Sequence, residues 1–260
     1  MASFNILPAV ENAYRMTWVE RRYLVRLAAI SFFLKLVCYL TAFSLGYQEN
    51  YLTLTLFLLP ALFAEGWMLS HYSRLIVLGH RWPFQPTGNM EEDLKVLSVR
   101  ARGVMGGLLV FVLINMALGA LMALVSPYVP ADPKAAEHLP PQIGMLFFAL
   151  LVFSFWGFRL TWLYIPYALN IGGMRYLKAL GGMKASLPLI GTWVLCFVPF
   201  IVLVQISASF FAPLAEGLGG KAASGFVMVI LTVAFDTLKN ILSTAAITYG
   251  LMEIFQKDKA

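Results

Sequence analysis

Charge is scarce in this chain. Only 12% of its 260 residues are Asp, Glu, Lys or Arg, against about 25% in an ordinary soluble domain. That excludes a well-solvated globular surface. Cysteine is nearly absent as well: Cys38 and Cys196 both fall inside apolar runs, where a thiol behaves as a small hydrophobe, so no disulfide framework is expected. The three histidines, His71, His80 and His138, are scattered. No His-Glu-x-x-His, no phosphate-binding P-loop and no Gly-x-Ser-x-Gly elbow occurs. The glycine-rich "GLGGKAASG" from Gly217 follows no strand pattern. No catalytic residue, metal ligand or cofactor is therefore assigned. The lack of any Asn-x-Ser/Thr sequon fits a bacterial source.

Apolar sequence is abundant in its place. Hydrophobic residues make up 60% of the chain and the mean hydropathy is +0.77, which implies an integral membrane protein. A helix needs about 20 mostly apolar residues to cross a bilayer. Six segments meet this, at about 23–45, 51–78, 103–125, 143–171, 187–211 and 223–255. The expected fold is all-α: a single domain over 1–260, forming a polytopic six-helix bundle with short amphipathic interface helices. Arg21-Arg22 ahead of the first run resembles an export signal, but a cleavable signal has an apolar core of about 7–15 residues. The run Leu24 to Leu45 is longer and contains Lys35, so it is read as a retained span.

The formal charge of +6 is distributed as membrane flanks, not as a nucleic-acid surface. Arg15, Arg21, Arg22 and Arg26 precede span one; Arg74, Arg81, Lys95, Arg100 and Arg102 surround the link from two to three; Arg175, Lys178 and Lys184 join four to five; Lys257 and Lys259 follow span six. The opposite loops hold Lys134 and Lys221. By the positive-inside rule both termini are cytoplasmic. Each odd-numbered span is preceded by an amphipathic stretch: Ile6, Val10, Tyr14 and Trp18 recur every four residues, Asn89 and Glu92 have the spacing of a capping box, and "RYLKALGGMKAS" forms a third, glycine-interrupted stretch. The link "PYVPADPKAAEHLPPQ" is too rich in proline for regular structure and is expected to be an extended spacer.

Five formally charged residues fall within the spans: Lys35, Glu65, Arg159, Asp236 and Lys239. All lie roughly 20–25 Å from the outer ends of their helices at 1.5 Å per residue, so one layer is expected. Isolated, each costs about 2.5–3.5 kcal/mol, or on the order of 12–18 kcal/mol together. Pairing follows. Asp236 and Lys239 share a helix face that Thr232, Asn240 and Ser243 continue. Lys35 is expected to pair with Glu65, and Arg159 with Asp236. These ion pairs can simply staple helices together. Alternatively, three bases against two acids leave one cation for an anionic ligand or lipid headgroup, with Arg159 as a forked donor, unless a neutral Lys35 removes the excess. A proton or ion relay is a further reading. Asn115, Asn170 and Gln205 are expected to bond across helices, and Gly103 and Gly107 to form a helix contact.

The segments "ILPAVENAYRMTWVERRYLVRLAAI" and "WLYIPYALNIGGMRYLKALGGMKASLPLIGTWVL" resemble six-span bacterial inner-membrane proteins similar to the membrane domain fused to some glycerophosphodiester phosphodiesterases, and to its stand-alone relatives. The resemblance covers the layout, including Lys184-Ala185-Ser186 before span five, and carries no catalytic signature. It implies a bacterial cytoplasmic-membrane protein of non-catalytic or unknown role; the hydrolase domain is absent from this sequence, so phosphodiesterase activity is not implied. The expected function is a non-enzymatic module binding a lipid or anionic ligand, or an accessory subunit of a membrane complex. A small transporter with a midplane charged site is the alternative, and an intramembrane lipid-modifying enzyme the third reading. Membrane lipids are the expected partners, with an anionic small ligand, a membrane-protein partner or a second copy as further candidates. The expected site comprises Lys35, Glu65, Arg159, Asp236, Lys239 and Asn240.

Overall fold

The computed structural model describes residues 4–47, 50–128, 141–181 and 186–257. Among these there is no strand. The helices are α1 (Ile6–Val19), α2 (Arg21–Ser44), α3 (Tyr51–Phe57), α4 (Leu59–Leu78), α5 (Met90–Val125), α6 (Pro141–Gly157), α7 (Tyr164–Ala168), α8 (Gly173–Leu180) and α9 (Ser186–Lys257). Helix α9 is two arms, Ser186–Gly217 and Gly219–Gln256, because Gly219 and Gly220 leave helical geometry and Gly220 sits at φ +71°, where a Cβ would be strained. Five of the described helices are long and apolar enough to cross a membrane, and α3 with α4, bent by 61° where they meet, would count as a sixth if taken as one span. The chain is a multi-pass membrane protein, an all-α bundle.

Helix periodicity explains which faces pack. In α2 the buried positions are Leu24, Leu27, Ser31, Lys35, Cys38 and Ala42, spaced three and four apart as one seam. Lys35 therefore lies on the packing face. Helix α5 closes on α4 and α7 through glycines: a Cβ on Gly103 would meet the Arg74 guanidinium and the Ala168 carbonyl, and one on Gly107 would meet Ser70 and Ala168. The expected small-residue contact is present. Pro60 follows the break at Leu58 and occupies the first turn of α4, where its missing N–H costs no helical bond.

In α1 the fully buried face is Ala9 and Ala13, with Ile6 and Val10 packed at its edge. Tyr14 and Trp18 are exposed, off the face that packs against α9. Other local expectations are corrected. The second amphipathic stretch is continuous with span three in one 36-residue helix. Its start is held by Asp93, whose carboxylate accepts from Thr87 N (3.0 Å), Thr87 Oγ1 (2.8 Å) and Gly88 N (3.3 Å); Asn89 instead donates to Glu92 at 3.4 Å. Span four is not one α-helix. It tightens into a 3-10 segment at Phe158–Trp162 between α6 and α7. The third stretch forms α8 up to Leu180, with 182–185 outside the described residues. Most of the proline-rich link, including His138, also lies outside them.

Candidate functional site

Three helices meet at Lys35. Its Nζ donates to Glu65 Oε1 on α4 and to Asp236 Oδ2 on α9, each at 2.6 Å. Asp236 Oδ1 accepts from Lys239 Nζ, one turn along, and the Lys239 ammonium lies 5.7 Å from the Phe197 ring centroid, within cation–π range. Asn240 Nδ2 donates to Glu65 Oε1 at 2.7 Å and lies 3.4 Å from Asp236 Oδ2. Lys35 and Glu65 are almost wholly buried, with side chains 5% and 3% exposed. The Asp236 side chain is 31% exposed, so the quartet has a buried end and an accessible end.

The accessible end borders a cavity of about 340 Å³ between α2, α3, α4, α5 and α9. Tyr39, Thr55, Asn115 and the quartet provide its polar wall; Leu62, Leu118 and Met122 provide its apolar one. Further along α9 the polar ladder continues. Thr244 Oγ1 donates to the Asn240 carbonyl at 2.6 Å, which uses its only hydrogen. Tyr164 Oη is therefore the donor in the 2.7 Å bond to Thr244 Oγ1.

Five of the six expected residues, Lys35, Glu65, Asp236, Lys239 and Asn240, are brought together; Arg159 is not. Its guanidinium donates to the Gly181 carbonyl and stacks 4.7 Å from the Trp156 ring centroid. The 3-10 segment turns it toward the α8 turn, and it makes no ion pair among the described residues. Lys35, not Arg159, is the inter-helix partner of Asp236. This changes the charge count: two bases face two acids, and no excess cation remains in the layer. Thr232, expected on the interior stripe, is exposed. Asn115 donates to Phe111 O within its own helix at 2.8 Å, Gln205 is exposed, and of the three amides only Asn170 bonds across helices, to Val99 O at 3.0 Å.

Sequence reasoning overlooked Tyr39, Thr55, Tyr164 and Thr244. Thr244 carried a signal, being one turn beyond Asn240 on the same face; Tyr164 carried none, since its partner is 80 residues away. Arg74 was read as a flank, yet it is among the largest fully buried side chains, 1% exposed.

Compared with known proteins, the chain matches no family profile, no curated protein and no solved structure. Fold and site define a class nonetheless: a multi-pass α-helical membrane protein with a self-neutralised ion quartet beside an interior polar cavity.

Proposed function

We propose that the protein is a non-enzymatic membrane module that binds a lipid or small polar ligand in the cavity beside Lys35, Glu65, Asp236 and Lys239. The observation that carries this reading is the cavity itself: about 340 Å³ of space bordered by a charged quartet, within the size range of ligand sites at about 300–1,000 Å³. Because the quartet is neutral, the cavity favours a group that both donates and accepts, such as a zwitterionic headgroup, over a net anion. Its resemblance to membrane domains of non-catalytic or unknown role is in keeping with that reading. The resemblance supports assignment to the bacterial inner membrane, and the distribution of its basic residues supports cytoplasmic termini at both ends. Reporter fusions at each end check that orientation.

A second reading, a small transporter, is favoured by one feature. Thr55 and Leu58 line the cavity at the 61° break between α3 and α4, and broken helices at mid-depth form transporter sites. The discriminating experiment combines native mass spectrometry and lipid analysis of the gently purified protein with Asn115→Leu and Thr55→Val variants. Retention of a bound species by wild type and its loss from both variants is expected. An empty wild-type protein, or the same species retained by both variants, overturns the binding module. Cysteines at Thr55 and Asn115 that label from each side of the membrane in turn favour transport.

A further inference from the structure

The basic end of the bundle holds a second charged cluster with the opposite character: among the described residues, neither Arg74 nor Arg100 has an acid beside it. Arg74 is 1% and Arg100 7% exposed. Arg74 Nη1 donates to the Ala168 carbonyl at 2.7 Å, its Nη2 lies 3.5 Å from His80 Nδ1, and its Nε has no partner. Arg100 Nη2 donates to the Arg81 carbonyl. Among the described residues no carboxylate lies within 4 Å of either guanidinium. The nearby Arg81 does not alter the balance, because Glu20 neutralises it at 2.5 Å.

Burying a charge costs several kcal/mol per ion unless a counter-charge accompanies it. The quartet at Lys35 solves that problem internally; this cluster does not among the described residues. No described residue supplies the missing charge, and a bound anion would meet it.

Space for it is present. A cavity of about 380 Å³ is lined by Tyr23, His80, Arg81, Trp82, Gln85 and Arg100. A second cavity of about 290 Å³, bounded by Trp67, His71, Leu97, Val104 and Met105, shares Arg100, Trp82 and Phe84 with the first. His71, 4% exposed, lines the second with its Nδ1 unpartnered. One compartment is polar and cationic, the next aromatic and aliphatic, and Arg100 stands between them. Tyr23 Oη accepts from the Trp82 backbone N–H at 2.9 Å, and such aromatic residues sit at headgroup level.

We propose that Arg100, His80 and Trp82, with Arg74 behind His80 adding its charge, form a site for the phosphate of an anionic phospholipid, the headgroup occupying the 380 Å³ cavity and the start of an acyl chain the adjoining one. Guanidinium forks match phosphate oxygens, and basic pockets between membrane helices bind anionic headgroups. The adjoining apolar compartment is what distinguishes a lipid from free phosphate. The site is separate from the cavity at Lys35, and neither depends on the other.

The test uses the full chain in mild detergent. Short-chain phosphatidylglycerol is expected to raise Tm by about 3–6 °C at ten times its Kd, with short-chain phosphatidylcholine and inorganic phosphate producing less than a third of that. Arg100→Gln abolishes the shift, and Leu97→Trp, which fills the apolar compartment and leaves both arginines, reduces it at least threefold. Lipid mass spectrometry reads the same site at occupancy: anionic phospholipid retained by wild type and depleted from Arg100→Gln supports the proposal even where added lipid gives no further shift. A full shift from inorganic phosphate alone overturns the lipid assignment. Equal shifts from phosphatidylcholine, or wild-type responses in both variants, overturn the site. Asn115→Leu is expected to leave every reading here unchanged.

Discussion

Lys35→Met is the substitution that interrogates the quartet most directly. It removes the hub between α2, α4 and α9. Asp236 keeps Lys239, but Glu65, with its side chain 3% exposed, keeps only the Asn240 amide. Removing one partner of a buried ion pair costs about 3–5 kcal/mol, and each kcal/mol moves Tm by about 2–4 °C in a domain approaching this size, so Tm is expected to fall by about 6–20 °C. Glu65→Gln falls by less, because Lys35 retains Asp236. In the double variant Lys35→Met/Glu65→Gln the remaining charges, Asp236 and Lys239, are paired, and Gln still offers Asn240 an acceptor. Most of the loss should return, giving a coupling energy of at least about 2 kcal/mol between the two sites. Thermal unfolding in mild detergent, followed by intrinsic fluorescence of the six tryptophans, measures all four corners of the cycle. A Lys35→Met protein within about 2 °C of wild type, or a double variant no more stable than the worse single, would refute the premise that buried charge at this depth must be neutralised by its neighbours.

Three further outcomes follow from particular contacts. Tyr164→Phe should cost about 1 kcal/mol, whereas Thr244→Val should cost more because it strands a buried phenol, with the double Tyr164→Phe/Thr244→Val recovering part of the loss; detergent denaturation curves that reverse this order would contradict the donor assignment. Gly107→Leu should lower Tm by about 2–12 °C through overpacking against Ser70 and Ala168, and an unchanged melting profile would mean that α5 does not pack so closely. Burial first, then the Arg74 and Arg100 guanidiniums, hold the His80 imidazole below its ordinary pKa of 6.5. A depressed pKa favours the neutral ring, so its contribution to stability is present above pH 6.5 and is lost as pH falls through the folded-state value. In protein stripped of lipid, an NMR titration of His80 with its midpoint at or above 6.5 would exclude this arrangement, since a bound phosphate would itself raise the value.

Much of the architecture was legible because the bilayer imposes length and polarity rules on single segments. Apolar runs of about 20 residues mark spans whatever packs against them, and five helices and one bent pair agree with six such runs. The pairing of Lys35 with Glu65 followed from the cost of lone charges, and i,i+3 spacing put Asp236 and Lys239 on one helix face. Pairing across the bundle did not follow. Arg159 matched Asp236 in depth only while span four was taken as one regular helix, and the 3-10 segment at Phe158–Trp162 removes the assumption on which depth was counted. Arg74 was misread for the same reason: its position near a helix end suggested a solvated flank, while Gly103 on another helix lets α5 close over it.

The sequence alone determined that this is an all-helical membrane protein, where its spans run and which charges could not stand alone, since those properties depend on local composition and on the energy of moving groups out of water. Only tertiary structure decided which charges meet, that the layer at Lys35 balances at two against two, and that no described acid lies beside Arg74 or Arg100. Those outcomes depend on helix breaks at Leu58, at Phe158–Trp162 and at Gly219–Gly220, and on glycine-mediated approach between helices. Distances between residues 30 to 201 positions apart are set by how helices bend and dock, and no local pattern encodes them.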